Sequence, residues 1–342
     1  MRLAIIADDL TGAMDAAAPF AERGLAVRLV LSGATAPLPR EADIVAFDTN
    51  SRHLPPAEAA AAVARCVATL PPATPLFKKI DSTLRGAVVE ESRAAASGRS
   101  TVVIAPAVPS QGRTVRGGQV FVDGVALGVT ASAGDARRPS FTGSLVKALA
   151  PLRPVMPDCT DDGDLAEIAR AAPADALLVG AAGLAEAVAQ IRFGDARPAV
   201  MPALAGPPLF IAGSRTMVVA RQLAQLRDAR PDALIVTAPA PFEADADAVA
   251  RRLAQRAVAQ FHASGAEAVV LVGGDTARAM LDALGVKALR VRGHIIPSIP
   301  WGEADIAGRA VLVATKAGGF GAIDALSRTA ERLAPANPPW RA

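Results

Sequence analysis

The sequence predicts an α/β protein of two domains, each a mostly parallel sheet flanked by helices, with the active site in the inter-domain cleft. Three observations predict it. Short β-branched runs alternate with longer stretches of helical period along nearly the whole chain, the pattern of parallel strands joined by crossover helices. The alternation breaks at residues 197–208, where Pro198, Pro202, Pro207 and Pro208 suit neither a helix nor a central strand. The chain also has 342 residues, 51 % of them hydrophobic and 20 % charged, enough for two domains with a core each.

In the first half, residues 3–7 read as a buried strand, followed by a helix that Thr11 can cap and Gly24 stops. Residues 26–31 and 44–47 are the next strands. Pro55 and Pro56 open a helix that reaches Leu70. A strand at 76–80, a helix at 86–96 and a strand at 102–105 follow. Asp123-Gly124 lies between two apolar runs and predicts a hairpin over residues 119–127. Alternation resumes with a strand at 177–179 and a helix at 183–191.

Past the proline-rich segment, strands are expected at 209–212, 233–236, 269–272, 288–291 and 311–313. A helix starts at Met217, and a long one spans 243–262. Glu243, Asp245 and Asp247 stand at its start and Arg251, Arg252 and Arg256 further along, as the helix dipole favours.

Parallel sheets bind ligands beyond the carboxyl ends of their strands, so the polar residues just after each strand carry the functional argument. Asp8 and Asp9 end the first strand. Adjacent carboxylates are best tolerated where a cation or hydrogen-bond donors hold them, and a phosphoryl transferase needs such a group to orient or deprotonate a hydroxyl. The next such turn runs Lys78, Lys79, Ile80, Asp81, Ser82, Thr83, Leu84, Arg85, Gly86. Its guanidinium and hydroxyls match a small polyhydroxylated carboxylate. Asp48 to Arg52 is a third strand-end turn, and the Gly112-Arg113 loop a fourth candidate, on the substrate side. In the second half, Gly273, Gly274, Asp275 and Thr276 form a strand–turn–helix junction of the kind that points backbone N–H groups at an anion. This is not a P-loop, because GxxxxGK[ST] is absent. Lys316, Gly318, Gly319 and Gly321 form another glycine-rich strand end, and residues 212–216, with Ser214, a third. Acids, hydroxyls and arginines thus gather in the first half and anion sites in the second, as a phosphoryl acceptor and donor require.

Other classes are disfavoured. The net charge of +3 is spread among 36 basic and 33 acidic residues, and aromatics make up 4 %, which does not suit a nucleic-acid-binding surface. Cys66 and Cys159 have no CxxC spacing, and His53, His262 and His294 form no ligand pair, so neither a disulfide framework nor a zinc site is expected. Asp8 and Asp9 cut the apolar start too early for a signal peptide, and no run approaches a membrane span. The expected compartment is the cytoplasm, with no membrane partner.

The motifs IADDLTGAMDAAAPFAERGL (6–25), DTNSR (48–52), FKKIDSTLRG (77–86), PAVPSQGRTVRGG (106–118), GSRT (213–216), GGDTA (273–277) and TKAGGFG (315–321) occur in the order seen in the four-carbon acid sugar kinase family, which the chain resembles over nearly its whole length. DSTLRG with KAGGFG is a specific combination. The resemblance implies an ATP-dependent kinase with Mg²⁺ that phosphorylates the terminal hydroxyl of threonate, erythronate or 3-oxo-tetronate. It implies a sugar-acid-binding domain over residues 1–200, a nucleotide-binding domain over 201–334 and a tail over 335–342. Asp8, Asp9, Arg52, Lys79, Asp81, Ser82, Thr83, Arg85 and Gly86 would bind the acceptor, with the catalytic base among Asp9, Asp8 and Asp81. Ser214, Gly273, Gly274, Asp275, Thr276, Lys316, Gly318, Gly319 and Gly321 would bind the nucleotide; the metal ligands stay open. A homo-oligomer is compatible with this reading. Two departures stand out: the family often has Gly-Ser-Ala-Gly-Leu where Ala181 replaces the serine, and Pro-Gly where this chain has Pro297-Ser298. Alternatives are a non-catalytic sensor of sugar acid or nucleotide, a kinase for a different small hydroxy acid, and a ligase acting on the acid's carboxylate.

Overall fold

The computed structural model describes the chain except residues 34–38, 40, 97, 100, 131–138, 239–244 and 335–342. Glu243, expected in the long helix, and the tail at 335–342 lie outside the described residues. The chain divides into two compact units, Met1–Arg197 and Pro198–Ala342.

The first unit contains β1 (Leu3–Ala7), α1 (Leu10–Ala21), β2 (Val27–Leu31), β3 (Ile44–Asp48), α2 (Pro56–Thr69), β4 (Leu76–Lys79), α3 (Val88–Ala95) and β5 (Val102–Ala105). Three short strands follow, β6 (Arg113–Arg116), β7 (Gln119–Val122) and β8 (Val125–Ala126). Then come α4 (Leu145–Ala148), β9 (Pro154–Val155), α5 (Asp162–Ala171), β10 (Leu177–Gly180) and α6 (Ala182–Phe193). The sheet order is β2-β3-β1-β4-β10-β5-β9, and every pairing is parallel. Strands β1, β3, β4, β5 and β10 are buried along their length, which is why they read as continuous apolar runs rather than alternating ones. From β1 the chain moves out to β2, returns to β3 beside β1, then crosses to β4 on the other side. The carboxyl ends of β3, β1 and β4 are therefore neighbours, at the point where the connections diverge.

The helix after β1 is capped by Asp9, not by Thr11: Asp9 Oδ1 accepts from the Gly12 amide at 2.9 Å, and Thr11 Oγ1 donates to Asp9 Oδ2 at 2.7 Å. A carboxylate accepts the amide hydrogen bond better than a hydroxyl, and this placement also turns Asp9 toward the strand ends. The predicted hairpin forms at Asp123-Gly124, with both residues at positive φ, 50° and 80°, as a type I′ turn needs. Gly117-Gly118, at φ 55° and 71°, makes the same kind of turn between β6 and β7, so part of the expected loop at 106–118 is strand. Helix α5 was not foreseen. Its Asp161–Asp164 capping box, with aspartate at N3 in place of the usual glutamate, is the signal that could have found it. Ala181 occupies the N-cap position of α6 and offers no side-chain acceptor there.

The second unit contains β11 (Pro208–Ala212), α7 (Met217–Ala229), β12 (Leu234–Thr237), α8 (Ala246–Ser264), β13 (Ala268–Val272), α9 (Gly274–Ala283), β14 (Ala288–Ile296), β15 (Ile299–Ile306), β16 (Arg309–Lys316) and α10 (Ala325–Arg332). Strands β12, β11, β13 and β16 are parallel neighbours in that order, and β15 and β14 continue antiparallel from β16. The antiparallel pair corrects the sequence reading, which has a short strand at 288–291 and none at 299–306. Pro297 and Pro300 obscured it. Pro297-Ser298 is the two-residue turn, and Pro300 pairs with His294 inside the hairpin. Ser298 takes φ 67°, a conformation that glycine adopts without steric cost. Phe210, Trp301, Leu226 and Leu326 lie in the core of this unit. Asp245 caps α8 by accepting from the Asp247 and Ala248 amides.

Candidate functional site

In the first unit the three neighbouring strand ends bring their polar residues together. Arg52, from the loop after β3, reaches across to the residues after β1. Its Nε and Nη2 donate to the two Asp8 oxygens at 2.7 and 2.9 Å, and its Nη1 and Nη2 to those of Asp9 at 2.8 and 3.0 Å. One guanidinium thus holds two adjacent carboxylates that would otherwise repel each other. Burial pushes the Asp8 carboxyl up, but the charge and hydrogen bonds of Arg52, helped by Lys78 and Lys79, hold it below the usual carboxylate range. Asp8 is the more deeply buried; the side chain of Asp9 retains 15 % exposure against 4 %.

The turn after β4 packs against this group. A methyl group placed at Gly86, which has φ 89°, would sit 3.2 Å from Asp8 Oδ2 and 3.7 Å from the Arg52 carbonyl, so glycine lets the two loops approach. In the same turn Arg85 Nε and Nη2 each donate to Asp81 at 2.9 Å, and Thr83 Oγ1 donates to Asp81 at 2.5 Å. Burial opposes ionisation of Asp81, but Arg85, then Arg52 and Thr83, hold its carboxyl far below the usual range. Ser82 and Thr83 are buried beside it. Lys79 is buried, donates from Nζ to the Ile80 carbonyl at 3.0 Å, and lies next to Gly12 and the Asp9 cap. Arg113, from the glycine–arginine loop, is close enough to feel the Asp81 charge. The structure therefore brings together every acceptor-site residue that the sequence singled out. It also pairs Arg85 with Asp81.

Behind the site lies a network that sequence reasoning missed. Lys78 is fully buried, and its Nζ is 2.7 Å from Glu91 of α3. Ser51 Oγ donates to Glu91 Oε1 at 2.7 Å and is 2.7 Å from Thr49 Oγ1, which donates to the Ala7 carbonyl at 2.9 Å. This chain ties the loop that carries Arg52 to β1, β4 and α3. The available signal was a glutamate on the buried face of α3, among Val88, Ser92 and Ala95.

In the second unit the ends of three further neighbours, β11, β13 and β16, each carry a glycine turn. A methyl group at Gly213 would collide with Thr276 Oγ1, and one at Gly318 with Ser214 Oγ. Gly273, at φ 106°, packs against both Ser214 and Thr276. Gly274 and Asp275 open α9 in the same turn. Lys316 is buried, and its Nζ donates to the Ala317 carbonyl at 3.0 Å. Desolvation brings its ammonium down to about 8. Gly319 faces open space, and Gly321 has φ 88°. Backbone donors, two hydroxyls and an easily recharged lysine form a cradle suited to phosphate groups.

An acidic, arginine-bearing strand-end cluster in one α/β unit and a glycine-rich anion cradle in the other are the features expected of a protein that handles a small polar substrate and a nucleotide. Comparison with known proteins gives the same division. Residues 3–154 match the family described as sugar-binding N-terminal domain, and residues 236–326 the one described as nucleotide-binding C-terminal domain. The chain is 34 % identical to a D-threonate kinase of Bordetella bronchiseptica, with 97 % of each chain covered, and 25 % identical to a 3-oxo-tetronate kinase of Burkholderia multivorans, with 97 % of each covered. A crystal structure of a Haemophilus influenzae protein has the same fold, with TM-score 0.73 at 21 % identity over 95 % of this chain and 98 % of that one. A Bordetella bronchiseptica protein crystallised with citrate as a domain-swapped dimer is 31 % identical, with TM-score 0.52 over 98 % of this chain and all of that one. The chain belongs to the four-carbon acid sugar kinase family, and is a phosphotransferase. Among the described residues, no helix is long and apolar enough to cross a membrane.

Proposed function

We propose that this protein transfers the terminal phosphoryl group of Mg·ATP to the terminal hydroxyl of D-threonate. The observation that carries the reading is the Asp8–Asp9–Arg52 constellation beside the Asp81–Arg85 pair: fixed carboxylates next to fixed guanidinium groups suit an acceptor bearing both a hydroxyl and a carboxylate. D-threonate takes precedence over 3-oxo-tetronate because identity to three D-threonate kinases is 30–34 %, against 25–26 % for the 3-oxo-tetronate kinases. Citrate in the Bordetella relative is itself a small hydroxy acid, in keeping with such a pocket.

In this reading Arg85, with Arg52 and Lys79 nearby, attracts the acceptor carboxylate. Ser82 and Thr83 take its hydroxyls. Asp9, the more exposed of the adjacent pair, orients the attacking hydroxyl and receives its proton as the new P–O bond forms and the bond to the ADP oxygen breaks. A carboxylate is a weak base, which suits a loose transition state where the proton leaves late. The second unit holds the nucleotide on Ser214, on the glycine turns at 273–276 and 318–321, and on Lys316. A magnesium ion supplies charge neutralisation on the phosphates. We place the activity in the cytoplasm, and the dimeric relative makes a homo-oligomer worth testing by light scattering.

The test is ADP release from Mg·ATP with D- and L-threonate, D- and L-erythronate and their 3-oxo forms. Turnover with D-threonate well above the others is expected. Equal or greater turnover with a 3-oxo acid would overturn the choice of substrate, and an Asp9→Asn variant with full turnover would remove Asp9 from the role of base.

A further inference from the structure

Helix α7 carries a residue that the site description leaves unexplained. Gln222 is fully buried on the apolar face of that helix, together with Val219, Leu223 and Leu226. Its Oε1 is a buried acceptor without a hydrogen-bond partner among the described residues, a cost that a leucine at this position would avoid. Its Nε2, by contrast, lies 3.2, 3.0 and 2.8 Å from the carbonyl oxygens of Phe320, Gly321 and Ala322. Three carbonyls of the glycine-rich loop after β16 converge on one amide nitrogen.

Two further side chains complete the pattern. Thr216, the N-cap of α7, donates to the Gly318 carbonyl at 3.0 Å, and Lys316 donates to the Ala317 carbonyl at 3.0 Å. Within residues 317–322, the carbonyls of Ala317, Gly318, Phe320, Gly321 and Ala322 each meet a side-chain donor, and those of Phe320, Gly321 and Ala322 are drawn toward the buried Gln222. In a trans peptide the N–H points opposite to the C=O. The amides of Gly321, Ala322 and Ile323 consequently face away from Gln222, on a segment exposed from Gly321 to Ile323. Successive amides freed on one side of a loop can gather round an anion, and here the buried side chain of Gln222 sets their direction.

We propose that Gln222 is a positioning residue of the nucleotide site: by holding three carbonyls inward it aims the loop amides at the nucleotide phosphates, and so sets affinity for ATP and ADP without touching either. This rests on the nucleotide-binding reading of the second unit. It places the control of phosphate affinity one layer below the glycines, on the helix that follows β11.

The experiment is calorimetric titration of ADP into the full chain as wild type, Gln222→Met and Lys316→Met, with steady-state kinetics for both substrates and amide exchange across residues 317–323. Methionine keeps the length and bulk of Gln222 and removes its donors. Gln222→Met should weaken ADP roughly tenfold or more and raise KM for ATP in step. KM for the sugar acid should stay unchanged, and exchange of the loop amides should quicken. A general packing defect would not divide the two KM values in this way. ADP affinity within twofold of wild type in Gln222→Met, while Lys316→Met is impaired, would overturn the role of Gln222 and leave the nucleotide site standing. Unchanged affinity in both variants would overturn the nucleotide reading and this inference with it. Should Gln222→Met fail to fold, Gln222→Leu removes the same donors and suits the apolar face shared with Val219, Leu223 and Leu226. Weakened ADP binding there supports the proposal, and unaltered binding overturns it.

Discussion

Replacing Arg52 by alanine should damage stability as well as catalysis, and the damage should depend on pH in a defined direction. The guanidinium makes four hydrogen bonds of 2.7–3.0 Å to two adjacent carboxylates, one of them almost fully buried. Removing one partner of a buried ion pair costs about 3–5 kcal/mol, because the other partner is left charged and desolvated. Asp9 and Arg52 keep some exposure, so the lower end, about 3 kcal/mol, is the expectation. In a unit of this size each kcal/mol is worth ~2–4 °C, which gives a fall in Tm on the order of 10 °C. In the wild type, Asp8 titrates below its unfolded value. It contributes stability that is present above that value and lost as pH falls through the folded one, so between pH ~5 and ~8 it adds no slope. Without Arg52, burial is the largest influence left on Asp8 and moves its folded value upward. The folded variant then holds protons that the unfolded chain releases, and its deficit against wild type grows as pH rises from ~5 to ~8. Urea denaturation of both proteins at the two pH values measures this. A deficit that is the same at both, or larger at the lower, would refute the claim that Arg52 keeps Asp8 ionised.

Three further predictions follow the same logic. Glu91→Ala should cost about 3–5 kcal/mol by stranding the buried Lys78, while the double change Lys78→Met with Glu91→Leu should recover most of it; denaturant midpoints of the three proteins decide. Ser298→Gly should stabilise the second unit by about 0.5–1 kcal/mol, because serine at φ 67° is strained where glycine is not; an unchanged or lower midpoint counts against it. Desolvation puts the Lys316 ammonium at about 8, and bound phosphates would favour its charged form. ADP affinity should therefore fall as pH rises through ~8, with proton uptake on binding, and Lys316→Met should remove that dependence; calorimetry in buffers of different ionisation enthalpy reads both.

Much of the site was legible because parallel sheets impose a simple rule. Continuous apolar runs locate the buried strands, and ligand groups must follow their carboxyl ends. Asp8, Arg52, Asp81, Gly273 and Lys316 all follow or end such runs, so their local placement is a property of the sequence. The antiparallel strand β15 was not legible, because its prolines are admissible only in the particular hairpin that Pro297-Ser298 closes. Pairing partners were not legible either. That β3, β1 and β4 lie side by side, so that Arg52 clamps Asp8 and Asp9 rather than some other acid, follows from strand order, which long-range packing decides. The same holds for Gln222, Lys78 and Glu91. Each reads locally as one polar residue in a helix or strand, and each gains its partners from what another segment places against it. The sequence by itself determined most of the buried parallel strands and the chemistry at their ends, because both depend on local periodicity and residue type. Only the tertiary structure decided which charges meet, because burial and strand order join residues that the chain keeps tens of positions apart.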